Sequence, residues 1–308
     1  MKRHMAHVIL MVGLLGVAGM AQERTTSSWP RDVPRDYVIT PIGYMHANCV
    51  RQVLEGQTVL ADGRIQYPDG SVEASAPVCD YPRYSPQGAL VAGNEPLTNG
   101  WVEFVYATTG SSYYKLTATW AVPPDPINYS NQTVYLFPGL QETNSDGTCI
   151  LQPVLQYGPS PAGGGESWTA ASYDCCVTKT SSYCSYSPLI GGSQGTVGTI
   201  KSYCEGQQEC NTWLVQTQET GTAQKTGLVA NTKGQVFDTA FAAALEVYGV
   251  TACDQYPDST GDSFTAVELY DQKGNLIKDP GWTGQVNNVS PQCGFSVTTK
   301  PIRLGWKP

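Results

Sequence analysis

Histidine is nearly absent from this chain. Of 308 residues only His4, His7 and His46 are histidine, and the first two fall in a leader that reads as removable. One remaining imidazole cannot build a two-histidine zinc site such as HExxH. A Ser-His-Asp or Cys-His centre would have to use His46, which stands far in sequence from any nucleophile-like motif. Charge is scarce as well. Only 14% of residues are charged, and 18 Lys+Arg against 26 Asp+Glu leave a formal net charge of −8. The basic footprint needed for nucleic acid or an anionic membrane surface is missing. No Cys-x-x-Cys pair repeats and no histidine lies near the cysteines, so a structural zinc site is a poor reading. Apolar runs are short: the longest, Val8 to Met20, falls below the roughly 20 residues that span a bilayer.

That run has a purpose nonetheless. Lys2, Arg3 and His4 precede it and the small residue Ala21 follows it. Residues 1–21 therefore read as a secretory signal peptide, and the mature chain as a secreted protein, extracellular or periplasmic. Ten cysteines follow the leader, and an even count in an exported chain suggests disulfides. The favoured local pairs are Cys49–Cys79, Cys204–Cys210 and Cys253–Cys293, while adjacent Cys175 and Cys176 go to different partners. With 32 Gly, 21 Pro and 18 Tyr, the composition suits a loop-rich β protein, expected to be a monomer.

Residues 22–98 form an N-terminal region read as a propeptide; an accessory domain and an integral part of the fold are the alternatives. Inside it, Ala61-Asp-Gly-Arg64 and Pro68-Asp-Gly-Ser71 carry the Asp-Gly turn dipeptide between β-type residues. A Pro/Gly/Asn-rich connector over 83–99 marks the boundary, and residues 99–308 form the main domain. There, short β runs alternate with turn clusters: Trp101–Tyr106, Tyr113–Val122, Thr133–Phe137, Cys149–Tyr157, Trp213–Gln218, Gln235–Phe237 and Ser263–Tyr270. The expected fold is all-β, an antiparallel β-sandwich of two sheets. Pro159–Gly165 reads as a loop. The segment Asp238–Gly249 reads by propensity as a short helix capped by Asp238 and stopped by Gly249, or else as a strand carrying small residues.

Chemistry without histidine must fall to carboxylates, amides or hydroxyls. In a strand over Thr148–Tyr157, Ile150, Gln152, Val154 and Gln156 share one face. Gln152 is then an amide set among apolar neighbours, which needs a partner or a substrate. In Ala244-Leu-Glu-Val-Tyr248, Glu246 is the acidic group of an otherwise apolar run. Partial burial would raise its pKa and suit it to general acid–base work. Read as spacing alone, a satisfied core amide and a solvent-facing acid are the stronger readings of the two residues.

Two motifs tilt the balance. Thr117-Ala-Thr-Trp-Ala-Val-Pro123, followed by Phe137-Pro-Gly-Leu140 and Thr148-Cys-Ile-Leu-Gln152, resembles the opening strands of the eqolisin glutamic peptidases. Ala244-Leu-Glu-Val-Tyr248 is similar to the later glutamate-bearing strand of that family. The resemblance spans about residues 113–299. It implies two bent sheets in a concanavalin-like sandwich, with Gln152 and Glu246 as the catalytic glutamine and glutamate, and makes a strand the better reading of 241–250. It places Phe137, Gln141 and Trp168 near substrate. Phe137 stands where the family has a tryptophan, and Gln141 near the place of a supporting aspartate. A second resemblance, to the neprosin group, would pair Glu246 with Glu142 or Glu166. Either implies a secreted, acid-acting endopeptidase that hydrolyses polypeptides with an activated water, with no metal or organic cofactor. The reading from another class is a non-catalytic sandwich whose 7 Trp and 18 Tyr stack on sugar rings. Asp254, Asp258 and Asp262 read as a solvated turn rather than a calcium loop. Asn128, Asn131 and Asn288 begin glycosylation sequons.

Overall fold

The computed structural model describes residues 29–91, 98, 100–110, 112–144, 147–178, 181–192, 195–202, 212–231 and 236–308. The leader 1–21 and the pair Cys204 and Cys210 lie outside the described residues. Among these residues the chain is built from strands, turns and two short 3-10 turns, without an α-helix.

Two large sheets pack face to face. The first runs, in spatial order, through Thr283–Val286, Glu103–Ala107, Thr239–Tyr248, Thr133–Asn144, Gly147–Ser160, Gly163–Thr178, Ser182–Tyr186 and Val50–Gln52. The second is centred on Asp262–Asp271, Tyr113–Ala121, Gly195–Ser202, Trp213–Glu219 and Lys225–Asn231. Strands of the second sheet alternate buried and half-exposed residues, as in Trp213–Glu219, because one face meets the core and the other meets solvent. The central strands of the first sheet are buried on both faces. Thr239–Tyr248 is buried at every position after its first.

That double burial explains the Ala-rich stretch. Small residues let layers approach on both sides, and the tertiary context overrides the alanines' helix propensity. The helix reading of 238–249 is corrected accordingly, to a strand over Thr239–Tyr248.

The inner face of the first sheet carries Val134, Leu136, Leu155, Leu245 and Val247, packed on Trp120, Phe264 and Leu304. Further along, Leu140 and Leu151 meet Leu116, Ile200, Val215 and Leu228. The outer face carries Tyr135, Phe137, Ile150, Val154, Tyr173, Ala244 and Tyr248, and here the N-terminal region forms a third layer, with Tyr37, Ile39, Ile42, Tyr44 and Met45 in the same cluster. That layer is a small sheet of Tyr37–Thr40, Gly43–His46, Arg83–Tyr84 and Leu90–Val91. The same region adds strand Val50–Gln52 in parallel to the first sheet and Thr58–Leu60 in parallel to the second. Residues 29–91 thus strap both sheets and share their cores.

Both Asp-Gly turns form as the sequence predicts. Gly63 and Gly70 sit at φ +80° and +84°, a region open to glycine at little cost. Cys49–Cys79 and Cys253–Cys293 are bonded, and Cys175 and Cys176 diverge to Cys184 and Cys149. The last two bonds cross between directly paired strand residues with Cα atoms 4.1 Å apart, the close spacing of opposed strand positions.

Candidate active site

Three adjacent strands place the polar groups. Tyr135, on Thr133–Asn144, is paired with Gln156 on one side and Glu246 on the other. Directly opposed strand residues project to the same face. Gln156, Tyr135 and Glu246 therefore form one row on the outer face, beneath the N-terminal layer.

Gln152 shares that face by alternation, and its strand partner is Tyr173. It sits four residues from Gln156, about 13 Å along the strand, while the Glu246 strand lies two strands away, about 10 Å. Gln152 and Glu246 thus share a face without sharing a row. The amide level with Glu246 is Gln156. The strand reading of Thr148–Tyr157 sets Gln156 on the same face as Gln152 without singling it out. The signal was available in the strand's length, since Gly147–Ser160 runs past Tyr157 and carries Gln156 up to the row of Tyr135.

Glu246 is fully buried. Burial lifts its carboxyl from 4.5 to about 8, against the opposing pull of the Tyr248 hydroxyl, the Arg83 charge and the Trp101 indole. Its Oε1 lies 2.6 Å from the Tyr248 hydroxyl, and its Oε2 has no hydrogen-bond partner among the described residues. Tyr248 and Tyr135, buried beside it, are pushed well above the ordinary phenol range.

Gln156 is held from two sides. Tyr173 donates its hydroxyl to Oε1 at 3.3 Å, and Nε2 donates to the Gly163 carbonyl at 3.2 Å, with a longer contact of 3.5 Å to Gly158. Gly158 makes this turn possible. It adopts φ +99°, and a Cβ there would lie 2.0 Å from the Gln132 carbonyl oxygen. Gln152 donates to the Pro41 carbonyl at 3.4 Å.

Other buried carboxyls face elsewhere. Glu103, raised to about 8 by burial, is paired with Leu245 on the inner face. Asp174, raised to about 7, is paired with Leu151. Asp262, raised to about 7, is paired with Leu304. Each is opposed to a residue of the inter-sheet core and looks away from the row of Glu246.

The remaining expected residues divide. Phe137 is buried on the outer face, paired with Ala244 next to the row, its ring 5.1 Å from that of Trp101. Gln141 lies further along, between Ile150 and Thr239. Trp168 is corrected: it pairs with Tyr157 and packs in the inter-sheet core. Strand alternation turned it to the opposite face from Glu246. Glu142 alternates with Leu140 toward that inner side, where its Oε1 accepts from the Val236 amide. Glu166 is exposed and acts on Tyr129 and Tyr157. Neither lies in the row. Five of the seven tryptophans, Trp101, Trp120, Trp168, Trp213 and Trp306, are buried, and Trp29 and Trp282 are half-buried. No group of three or more His, Cys, Asp or Glu able to hold a metal ion occurs among the described residues.

Among solved structures, the chain is similar to Scytalido-glutamic peptidase bound to a peptide-based transition-state analogue. That match has 13% identity and a TM-score of 0.45, and covers 67% of this chain and 98% of the other. It is also similar to SCP-B, a member of the eqolisin family of peptidases in complex with the tripeptide Ala-Ile-His, at 13% identity and a TM-score of 0.43 over the same shares. No protein-family model matches the sequence. No curated protein matches it.

Proposed function

We propose that this chain is a secreted glutamic-type endopeptidase, with Glu246 as general base and acid and a side-chain amide as oxyanion donor. The observation that carries the reading is the row itself. A fully buried carboxyl, a clamped amide and a phenol stand on one face, and the segment Tyr37–Thr40 lies over that face with the Ile39 carbonyl on Tyr135 and the Thr40 carbonyl on neighbouring Tyr248.

The chemistry follows from the groups. With the face open to water, the burial that lifts Glu246 is relieved, and the carboxylate becomes available as a base in acidic solution. It takes a proton from a water, whose oxygen attacks the peptide carbonyl carbon. The developing oxyanion accepts from the amide N–H of Gln156. Glu246 then gives its proton to the amide nitrogen as the C–N bond breaks, releasing a carboxylic acid and an amine. No covalent intermediate and no cofactor enters. Gln156 takes the amide role ahead of Gln152 because it is level with Glu246.

The test is cleavage of denatured casein at pH 3–5, after acid incubation, by the natural chain and by Glu246→Gln, Gln156→Ala and Gln152→Ala, with folding followed by circular dichroism. Glu246→Gln loses cleavage by about 10²–10⁴-fold, Gln156→Ala by about 10²–10³-fold, and Gln152→Ala by much less. Casein cut at the natural rate by folded Glu246→Gln would end the reading. Loss in Gln152→Ala with Gln156→Ala unaffected would move the amide role back to Gln152.

A further inference from the structure

Glu246 and Tyr248 stand two residues apart on one strand, so their side chains share the outer face. The phenol oxygen lies 2.6 Å from Glu246 Oε1 and 2.6 Å from the Thr40 carbonyl oxygen. One hydroxyl thus touches the carboxyl and a backbone carbonyl at once. It is held firmly in that place. Tyr248 is buried, its backbone is paired with Thr133, and the rings of Tyr44 and Tyr135 pack edge-on against it with centroids 5.1 and 5.9 Å away. Burial and the charge of Glu246 push the phenol well above its ordinary range, so it keeps its proton in acidic and neutral solution. The Tyr135 hydroxyl, by comparison, meets the Ile39 carbonyl only at 3.4 Å, long for an O–H donor.

We propose that Tyr248 is a further catalytic residue, whose hydroxyl first holds Glu246 for proton abstraction and then turns its one proton to the oxyanion. The proposal rests on the peptidase reading for the reaction and on the two contacts for its geometry. A phenol has one proton to give, so its two acceptors compete. Before the reaction the carboxylate is the stronger acceptor, and a charge-assisted bond to Oε1 fixes it. Oε2, with no hydrogen-bond partner among the described residues, is left to take the proton of the water. As the water oxygen bonds to the peptide carbon, the π pair moves onto the carbonyl oxygen and Glu246 becomes a neutral acid. The order of the acceptors then reverses. The phenol proton turns to the oxyanion, at the place that the Thr40 carbonyl oxygen marks, and Tyr248 acts there in addition to the amide of Gln156. When Glu246 gives its proton to the amide nitrogen and the C–N bond breaks, the oxyanion becomes a carbonyl again. The phenol returns to the carboxylate, and Tyr248 neither gains nor loses a proton over the cycle.

The test compares the natural chain with Tyr248→Phe, both after acid incubation and both shown to be folded. The groups acting on Glu246 are Tyr248 on its own strand, Tyr135 on the next strand, and Arg83 and Trp101; the variant removes the Tyr248 hydroxyl alone. The first readout is the pH profile of cleavage of a fluorogenic peptide. Loss of one oxyanion donor lowers kcat about 10²–10³-fold, with KM changed by less than about threefold because the ground-state carbonyl gains little from the donor. Loss of a donor to the carboxylate raises its pKa, so the acid limb of the profile moves up by about one pH unit. The second readout needs no activity: the infrared C=O stretch of the protonated Glu246 carboxyl, isolated as the difference from Glu246→Gln, moves to higher wavenumber in Tyr248→Phe. An unchanged kcat overturns the proposal, as does a lowered kcat with the acid limb and the infrared band both unmoved. A shifted band with no cleavage by any form, the natural chain included, upholds the Tyr248–Glu246 contact and overturns the peptidase reading, and the catalytic role with it. If Tyr248→Phe fails to fold, Tyr248→3-fluorotyrosine replaces it. That stronger donor moves the acid limb to lower pH, and an unmoved limb overturns the proposal.

Discussion

Replacing Glu246 by glutamine should change the stability of this protein in a pH-dependent way. The substitution keeps shape and removes the ionisable group. In the folded chain burial raises the carboxyl from 4.5 to about 8. A group whose pKa is raised on folding contributes fully below its unfolded value, and that contribution is lost as pH rises through the folded value. At pH 4 the natural side chain is neutral when folded and mostly neutral when unfolded, so the variant and the natural chain should melt within about a degree or two of each other. At pH 9 the natural chain must either bury a charge or hold a proton the solvent would remove. A rise from 4.5 to about 8 then corresponds to about 5 kcal/mol, at ~1.4 kcal/mol per pKa unit. For a chain this long each kcal/mol moves the melting temperature by about 2 °C. Glu246→Gln should therefore melt roughly 10 °C above the natural chain at pH 9. Scanning fluorimetry of both proteins at pH 4 and pH 9 reads this directly. An equal gap at both pH values would refute the buried, raised carboxyl on which the site is built.

Other outcomes follow from the same structure. Glu103, Asp174 and Asp262 are also raised by burial, to about 8, 7 and 7. The natural chain should thus lose stability steadily from about pH 4 to pH 8, read as a falling midpoint in urea. Gly158→Ala places a Cβ 2.0 Å from the Gln132 carbonyl oxygen at a φ that suits glycine. It should cost more than about 1 kcal/mol in stability and lower kcat by displacing Gln156. Replacing Cys253 and Cys293 together by serine opens a loop of sequence separation 40 and should cost about 4 kcal/mol by chain entropy, measured by denaturant unfolding.

Much of the fold was legible because its signals are local. Period-two runs such as Tyr113–Ala121 announce strands, and the two Asp-Gly dipeptides announce turns. Several strands were not legible, among them two in the interior of their sheets. Gly163–Thr178 begins with three glycines and Gly195–Ser202 mixes Gly, Thr and Lys. Neither shows enough β-type residues to stand out until its neighbours pair with it. Gln235–Phe237 read as a strand, but its described residues, 236 and 237, lie just before Thr239–Tyr248 in irregular backbone.

The site was half legible. Glu246 stands out as an acid in an apolar run, and the structure sets it, buried, on the outer face. The choice between Gln152 and Gln156 depends on hairpin register, a non-local quantity that the two strands do not reveal until Tyr135 is seen paired to both sides. The hairpin over the outer face was invisible for the same reason, since its contacts cross some 100 to 200 residues of sequence.

The most direct measurement is casein hydrolysis at pH 4, after acid incubation, by the natural chain and by Glu246→Gln, both confirmed as folded by near-ultraviolet circular dichroism. The account predicts cleavage by the natural chain and none above background by the variant. Equal cleavage by both would contradict it.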